Sequence, residues 1–568
     1  EPIAGHACLA LVAGRRDTVW AAALGVLMFS LLVAVYSLTY SGTFRIDDEH
    51  VLAARSQSLA LWGKWNYPQV YGNDRVRELS TLEAEAAPKH TVLEPAQTVA
   101  GSILFLVGRA LGVGGLQAAL TLNTYVTAFT GAVVVLVVLR LGFRPLTAVW
   151  SGLLYGLGTM AWPYAKTFLR DPLAALMAAV SFLGWVSLVS PSKKGRVVGA
   201  CLLAIGTLGG ALAKHTATVL LPAFALSAIL IWLKRSVKQE KKFRGLGFGL
   251  LGAGGFLVVL LALPSDGALA RYSPSYFSWV SSRFIANFRP SVVPGLLGPF
   301  ISPAKSVLLF SPVLVLAPYA AVRWWRSYAE LYLPAALSIG LLALAQALFH
   351  GSRWGGTLVW GLRYMLPAMP LLVFLGAPVV DEMVHGQSAR GRMVLGALLS
   401  VSALIQIAGA VVAWHLPYRT WLDRGLDPYS LGVEWDLRFL VIPEHFRQLL
   451  TLSSWDIAWV RSLPDTPEAM VIPLIALGVI ASCTLLWRDA LANWQSGKPR
   501  LRAALIVGAV ACVIPVYPSL LILQGDPALG GQRPEFASAL AWIEDRVGAE
   551  DLVVVDSYGT PLWRFTLN

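Results

Sequence analysis

Charged residues are scarce in this sequence: Asp, Glu, Lys and Arg together make up 14% of the 568 residues, whereas a typical soluble domain contains roughly 25%. Cysteine is also rare, and no two cysteines form a C-x-x-C pair. This spacing indicates neither a disulfide framework nor a zinc site. Internal repeats and low-complexity segments are absent as well, which excludes the repeat architectures. The four cysteines are Cys8, Cys201, Cys483 and Cys512.

Apolar residues are correspondingly abundant. They make up 56% of the chain, and the mean hydropathy is +0.63. This composition is typical of a polytopic membrane protein. The formal net charge is +13, and in a membrane protein such a basic excess indicates cytoplasmic loops near anionic lipid rather than nucleic-acid binding. The expected partner is therefore the lipid bilayer, with no nucleic acid.

Thirteen apolar stretches are long enough to span a membrane as helices, which requires about 20 residues each. The sequence therefore predicts an all-α polytopic membrane protein. A further stretch, 95–112, is short, opens with Pro95 and contains Arg109, so it is predicted to lie in the membrane interface. The predicted spans are 18–40, 116–139, 145–162, 172–189, 197–213, 216–233, 245–264, 305–322, 329–349, 364–380, 393–413, 468–487 and 503–523.

The distribution of Lys and Arg supports the interfacial interpretation of 95–112. If this stretch does not cross, the loops assigned to the cytoplasm contain 21 of the 45 Lys and Arg within 73 residues, as the positive-inside rule predicts. If it does cross, the basic segment "KRSVKQEKKFR" at 234–244 faces outward. We therefore predict thirteen spans with a cytoplasmic N-terminus and an external C-terminus, and a fourteenth span at 95–112 is the alternative. The cytoplasmic loops are 1–17, 140–144, 190–196, 234–244, 323–328, 381–392 and 488–502.

This topology divides the chain into a transmembrane domain, 1–523, and an external tail, 524–568. The tail contains a helical pattern, "RPEFASALAWIEDRV", and a strand pattern, "DLVVVDSYG", which together are typical of a small α/β unit. A single strand cannot form a sheet, so we expect the sequence to end inside this unit. The transmembrane domain carries four sizeable external segments, which are 41–115, 265–304, 350–363 and 414–467.

Acidic residues follow two predicted spans on the external face. Asp47, Asp48 and Glu49 come just after the first span, and Asp171 lies 123 residues beyond Asp48 in the short loop "WPYAKTFLRD". Each carboxylate alone has a simple interpretation as a solvated interfacial charge, and Asp171 followed by Pro172 is also a typical helix start. Because both acidic sites lie on the same membrane face, they indicate a functional site there.

Four segments between residues 15 and 380 carry further motifs. Asp48-Glu49 is followed by "GKW" at 63–65, and the later segments are "APKHTVLEPAQTVAGSILFLVGRALG", "GTMAWPYAKTFLRDPLAAL" and "HGSRWGGTLVWGLRYMLPAMPLL". In order and sidedness they resemble the external loops of C-type (GT-C) glycosyltransferases, in the group of protein mannosyltransferases and lipid A aminoarabinose transferases. Two departures stand out: Lys64 replaces the acid of that family's "GDW", and Asp47 adds a third carboxylate.

The resemblance implies a membrane glycosyltransferase with a polyprenyl-phosphate sugar donor and a glycan, lipid or protein acceptor. The active site is expected on the external or periplasmic face of the cell membrane. A carboxylate must accept the proton of the attacking acceptor hydroxyl, and Asp48 is the first choice for this base. We expect inversion at the anomeric carbon. The candidate catalytic residues are Asp48, Asp47, Glu49 and Asp171.

Departure of the lipid phosphate requires positive charge at the membrane surface. A Mg²⁺ or Mn²⁺ ion held by Asp48, Glu49 or Asp171 is an alternative to cationic side chains, and no other cofactor is indicated. Lys214 and His215, at an external turn, are interpreted as side chains that extend to the interface, with a phosphate contact as the alternative. The candidate substrate-binding residues are Lys89, Arg271, Arg353, Arg363, Tyr364 and Trp65.

Two other classes of protein compete with the glycosyltransferase interpretation. A transporter or flippase for a lipid-linked sugar is expected to carry ionisable residues within its spans, near the middle of the membrane. In this sequence the charges cluster at span ends and in loops. A membrane scaffold without activity does not require carboxylates on two separate loops of one face.

Overall fold

A computed structural model describes residues 15–44, 46–63, 65, 94–188, 192–236, 274–351, 354–356, 359–428, 430–464, 467–494, 500–516, 552–555 and 563–566. These residues are almost entirely helical, and the strands among them form one short hairpin. The helical class predicted from the sequence is therefore confirmed.

The longer helices are rich in apolar residues and follow one another with short connections. A helix satisfies its own backbone N–H and C=O groups, which is what a chain segment in lipid requires. The longer helices are Arg15–Leu38, Leu122–Arg140, Asp171–Leu188, Lys193–Ala213, Leu220–Ser236, Pro274–Ile301, Leu316–His350, Met369–His385, Ala389–Val411 and Val471–Ala492.

Shorter helices and turns connect the long ones. The shorter α-helices are Asp47–Trp62, Pro95–Ala110, Gly115–Leu120, Pro145–Gly158, Ala161–Ala165, Val307–Phe310, His415–Asp423, Val441–Leu449, Ala458–Ser462 and Leu501–Val513. The 3-10 turns are His215–Val219, Pro312–Val315, Arg363–Ala368, Val433–Trp435, Leu437–Phe439, Leu452–Ser454 and Pro467–Met470.

Eight helical stretches of the described chain are long and apolar enough to cross a membrane. Twelve of the thirteen predicted spans overlap helices in full or in part, and the remaining one, 245–264, lies outside the described residues, as do positions 517–523 of the last span. The span 305–322 is divided among the helix Val307–Phe310, the 3-10 turn Pro312–Val315 and the start of Leu316–His350. Some of these helices, such as Pro145–Gly158 and Leu501–Val513, are shorter than a full span. The polytopic class is thus confirmed, and the count of thirteen spans stays a prediction.

The predicted cytoplasmic loop 323–328 is helical, which corrects the sequence interpretation. The helix Leu316–His350 continues through it, and Tyr328 alone has non-helical backbone angles. Arg323 pairs with Glu382 at 2.8 Å, and the Tyr332 hydroxyl donates to the Leu375 carbonyl at 3.0 Å. Leu316 also lies beside Gly376. The residues before and after Tyr328 therefore return to the same level of the helix Met369–His385, so the chain bends back at Tyr328 without a separate loop.

The helix Pro95–Ala110 buries polar residues and exposes apolar ones, the reverse of a helix on the surface of a soluble protein. Gln97, Thr98 and Ser102 are buried, whereas Ile103 and Leu106 are exposed. A helix of 16 residues is about 24 Å long at about 1.5 Å per residue, which is less than the roughly 30 Å hydrocarbon core. The exposed apolar face and the length favour the predicted interfacial position.

Small residues bring the helices Asp171–Leu188 and Lys193–Ala213 into close contact. A Cβ atom at Gly184, Gly199 or Gly206 would collide with backbone of the facing helix. This type of packing through small residues is typical of helices in membranes. The two helices are antiparallel neighbours, and their packing places Asp171 beside Lys214.

The contacts assign the helix ends to two opposite sides of the bundle. Asp48, Asn123, Asp171, Lys214 and Arg363 lie together, and we call this side the Asp48 end. Asp381 lies near the far end of the helix Met369–His385, which follows Arg363, and it accepts from Thr147 at 2.6 Å on the opposite side. Several helices that begin or finish at the Asp48 end carry basic residues at their opposite termini. Those termini include Arg140, Lys193, Lys194, Arg390 and Arg392.

The C-terminal tail contains an antiparallel hairpin. Strand Leu552–Val555 pairs with Trp563–Thr566, with Leu552 opposite Thr566. The first strand falls within the predicted strand pattern, and the sequence analysis did not predict the second. The predicted helix, 533–547, lies outside the described residues, so the α/β interpretation of the tail stays a prediction.

Candidate active site at the Asp48 end

Asp48 lies in the first turn of the helix Asp47–Trp62 and faces two guanidinium groups. Its Oδ2 atom is 3.3 Å from Nη2 of Arg363 and 3.7 Å from Nη2 of Arg170. The Asp48 side chain is 33% exposed, so the carboxylate remains accessible to a ligand. Its position at a helix N-terminus also favours a negative charge.

Glu49 is fully buried and joins two loops. One carboxylate oxygen accepts the Phe168 N–H at 2.6 Å, and the other accepts the Ile46 N–H at 3.3 Å. The second bond pairs the N–H of Ile46, the residue before the helix Asp47–Trp62, and the Glu49 N–H in turn donates to the Ile46 carbonyl at 3.0 Å. Glu49 thereby holds the start of this helix against the loop that contains Arg170 and Asp171.

The Asn123 side chain holds the loop that contains Arg170 and Asp171. Its amide nitrogen donates to the carbonyls of Thr167 and Leu169, both at 2.7 Å. Gln97 supports Asn123 with a bond of 3.2 Å to the side-chain oxygen. A loop that is buried needs such partners for its backbone groups, and here they fix the direction of the Arg170 side chain.

Arg170 lies between two carboxylates. It forms an ion pair with Glu94 and faces Asp48 on its other side. Glu94 is itself fully buried, and its second oxygen is 2.6 Å from Nδ1 of His215 and accepts the His215 N–H at 2.7 Å. Glu94, Arg170 and His215 therefore form a connected group that orients Arg170 toward Asp48.

Asp171 forms a buried ion pair with Lys214. Both side chains are at most 5% exposed, so the interpretation of Lys214 as an interfacial side chain is wrong. Burial lowers the pKa of Lys214, although the Asp171 carboxylate opposes this effect. The Lys214 ammonium also lies 4.7 Å from the centre of the Tyr364 ring, and His350 stacks on that ring at 4.0 Å.

Arg363 is the cation of this cluster that retains donors for a ligand. Its Nη2 atom faces Asp48 and lies 3.4 Å from the Tyr364 hydroxyl. Its Nε and Nη1 atoms are buried and have no hydrogen-bond partner among the residues that the structure describes. Buried donors without partners are costly, so the geometry favours an anion that accepts from both N–H groups, as a phosphate does.

The structure brings five of the predicted site residues together, and they are Asp48, Glu49, Asp171, Arg363 and Tyr364. Trp65 follows the helix Asp47–Trp62, whose 16 residues place it about 24 Å along the helix from Asp48. Lys89, Arg271, Arg353 and the side chain of Asp47 lie outside the described residues.

Arg170 and Glu94 were not predicted as members of the site, and His215 was considered only as an interfacial side chain with a phosphate contact as the alternative. Each lies at the end of a predicted helix or in a short loop of the Asp48 end. Their location at this end of the helices could have indicated a cluster of paired charges, because a charged side chain is buried there only if it has a partner. The sequence did not indicate which carboxylate each cation would meet.

The three carboxylates predicted as metal ligands do not fit a divalent cation as they are arranged. Glu49 accepts backbone N–H groups, Asp171 pairs with Lys214, and Asp48 faces guanidinium groups. Within the described ranges, no group of three or more His, Cys, Asp or Glu converges as a metal site requires.

A buried histidine lies close to the cluster, in the helix Val441–Leu449. His445 is 1% exposed, its Nδ1 atom is 3.0 Å from the Val441 carbonyl, and its ring packs against Trp360 at 4.6 Å. Burial lowers the pKa of His445 to about 3. The native protein therefore holds this side chain neutral under conditions in which the unfolded chain would protonate it.

We expect His445 to make the protein sensitive to acid. Between pH of about 6.5 and about 3, the unfolded chain binds a proton at this residue and the native protein does not, so stability falls as the pH falls through this window. The variant His445→Gln removes the titration. Unfolding temperatures in detergent, measured from pH 7.5 to 4.5, should decline less steeply for the variant, and parallel curves would contradict the assignment.

The fold and the cluster together define an integral-membrane protein with a charged site at one end of its helices. No family model and no curated protein matches the sequence. Among solved structures, the chain is similar to ArnT from Cupriavidus metallidurans in the apo state, with 15% identity and a TM-score of 0.43 over 92% of this chain and 79% of that one. The same protein bound to undecaprenyl phosphate gives 14% identity and a TM-score of 0.43, over 92% and 81%.

A more distant similarity is to the archaeal oligosaccharyltransferase AglB from Archaeoglobus fulgidus, in complex with an inhibitory peptide and a dolichol-phosphate. The identity is 12% and the TM-score 0.28, over 92% of this chain and 58% of that one.

Proposed function

We propose that the protein is an integral-membrane glycosyltransferase that transfers a sugar from a polyprenyl-phosphate donor to an acceptor hydroxyl. The observation that carries this proposal is the juxtaposition of Asp48 with Arg363. An accessible carboxylate and a guanidinium with two unpaired buried donors lie 3.3 Å apart. The motifs around Asp48 and in "GLRY" support it, because they resemble the external loops of GT-C glycosyltransferases.

The two groups match the two charges that develop during transfer. The acceptor oxygen attacks the anomeric carbon while Asp48 takes its proton. The bond between that carbon and the phosphate oxygen breaks, and the lipid phosphate leaves with the electron pair. Arg363 donates to the phosphate oxygens and stabilises this charge. Because the attack comes from the face opposite to the leaving phosphate, the anomeric carbon is inverted.

The remaining members of the cluster keep these two groups in place. Arg170, held by Glu94, orients the Asp48 carboxylate, and Tyr364 packs beside Arg363 at 5.0 Å. The paired side chains of Asp171 and Lys214 form one wall of the cluster. Preorganised partners of this kind are what an active site needs to hold its groups within a fraction of an ångström.

The distribution of charge favours an external position for the site. Arg140, Lys193 and Arg390 lie at the ends of helices opposite to Asp48, and the positive-inside rule assigns such basic ends to the cytoplasm. An external site at the membrane surface requires a donor that arrives through the bilayer, which fits a lipid-linked sugar.

Cysteine labelling tests this orientation. Leu450 is 88% exposed in the segment near the Asp48 end, so a cysteine at this position should react with a membrane-impermeant thiol reagent added to intact cells. A cysteine in place of Arg390, which is also exposed, should react only after the membrane is opened. External labelling at position 390 would reverse the orientation and move the site to the cytoplasmic face.

The direct test of the proposed activity is mass spectrometry of cells with and without the intact gene. Loss of one surface glycan with accumulation of its polyprenyl-phosphate sugar would identify both donor and acceptor. A flippase for a lipid-linked sugar is the competing function. It predicts that the purified protein in vesicles moves the donor across the bilayer and transfers no sugar to an acceptor.

A further inference from the structure

Asp456 is a buried carboxylate that lies outside the cluster and contacts two of its loops. It follows the 3-10 turn Leu452–Ser454, and its side chain is 8% exposed. One of its oxygens is 3.2 Å from the Lys166 ammonium, whose side chain is 1% exposed. The other accepts from Arg461 at 2.6 Å and from the Thr43 hydroxyl at 3.2 Å.

The segment around Asp456 is fastened to the end of the first helix. The Ala458 N–H donates to the Tyr40 carbonyl at 2.8 Å, and the Trp459 indole donates to the Leu38 carbonyl at 2.9 Å. Arg461 donates to the Ser41 carbonyl at 2.5 Å. Residues 456–461 thus hold the chain directly before Asp48 through bonds that do not depend on the cluster.

Both loops that Asp456 contacts lead to groups of the proposed active site. Thr43 precedes Asp48 by five residues, and Lys166 precedes Arg170 by four. The same two loops meet again where Glu49 accepts the Phe168 N–H. Asp456 therefore connects the two loops at one position, and Glu49 connects them at a second. Together these contacts set the distance between the loops.

We propose that Asp456 is a positioning residue that sets the placement of Asp48 relative to Arg170. This inference rests on the proposed glycosyl transfer for its kinetic consequence, whereas its structural consequence is independent of any activity. Loss of the carboxylate leaves Lys166 buried without this counter-charge, which is unfavourable. The two loops then relax apart, and the proton acceptor no longer lies where the attacking hydroxyl is held.

The variant Asp456→Asn keeps the shape of the side chain and removes its charge. We expect kcat to fall by about 10- to 100-fold, since a displacement of about 1 Å can cost about 10²-fold. Donor KM should not change, because Arg363 does not contact Asp456. The matched control is Asp436→Asn, from an exposed pair with Arg438 in the same external segment, and it should leave kcat unaltered.

Hydrogen exchange supplies a readout that a change in activity cannot mimic. In Asp456→Asn, the amides of 46–50 and 165–170 should exchange faster than in the wild type, and those of the helix Asp171–Leu188 should not. Thr43→Val, which removes one bond to Asp456, should show the same pattern to a smaller extent. If Asp456→Asn does not fold, the exchange pattern of Thr43→Val tests whether Asp456 positions the two loops.

A double variant separates positioning from general loss of stability. Lys166→Met with Asp456→Asn removes both members of the buried pair, so its loss of kcat and its increase in exchange should be smaller than the sum of the single effects. Additive effects, or unchanged exchange in both loops, would overturn the proposal. If the wild type transfers no sugar, the proposed function fails, and the exchange measurements still decide the role of Asp456.

Discussion

The variant Asp48→Asn is expected to lower turnover by at least about 10²-fold, the usual contribution of a general base. Asparagine keeps the size of the side chain and cannot accept the proton of the acceptor hydroxyl. Donor binding should stay the same or become tighter, because the phosphate no longer shares Arg363 with a carboxylate 3.3 Å away. The measurement is transfer by purified protein at saturating donor, together with donor binding at equilibrium.

The control for this prediction is the neighbouring carboxylate. Asp47→Asn should retain most of the turnover, because Asp48 is the residue that faces Arg170 and Arg363. If Asp47→Asn abolishes transfer and Asp48→Asn leaves it near the wild-type rate, the base is Asp47. If neither variant affects turnover while both fold, the first external segment does not supply the base.

The second large effect is expected for Arg363→Gln. A hydrogen bond to a charged group contributes roughly 1.5 to 3 kcal/mol, and each 1.4 kcal/mol or so is a factor of ten. The kcat/KM for the donor should therefore fall by about 10- to 100-fold. Arg363→Lys should recover part of this loss, since it keeps the charge and loses the planar arrangement of two donors.

The matched control for Arg363 lies at the opposite end of the helices. Arg323 forms an exposed pair with Glu382, with side chains 47% and 43% exposed, and such surface pairs contribute about 0 to 1 kcal/mol. Arg323→Gln should therefore leave transfer unaffected. An unchanged donor KM and rate in Arg363→Gln would move the phosphate site to another cation, with Lys89, Arg271 and Arg353 as the remaining candidates.

The sequence was most informative where the membrane restricts the possible structures. A segment in lipid must satisfy its own backbone groups, so runs such as 18–40 and 393–413 had to be helices. The alternation of spans then placed Asp48 and Asp171 on one face, and the structure has both in one cluster. The sequence predicted a loop at 323–328 between two spans, but it did not show that this segment is helical apart from the backbone angles of Tyr328.

The cluster itself was predicted in part. Asp48, Arg363 and Tyr364 were found because they belong to motifs whose order along the chain is informative. Arg170 and Glu94 lie within two of the quoted segments but were not singled out, because nothing in the sequence shows that these two residues, 76 positions apart, form a pair. Lys214 was misinterpreted because a lysine at a helix end usually extends to the interface, and nothing in the sequence shows that Asp171 lies beside it.

What the sequence determined by itself is the class of the protein: a helical membrane chain whose charged residues cluster at the ends of its spans and in its loops. These properties follow from composition, from the length of apolar runs and from the count of charges in loops, which are all local. The tertiary structure alone decided which charges pair: Glu94 with Arg170, Asp171 with Lys214, and Asp456 with Lys166, the last over 290 residues. Such pairs depend on close packing between helices, because an ion pair weakens steeply with distance and with exposure to water, and a linear sequence specifies neither.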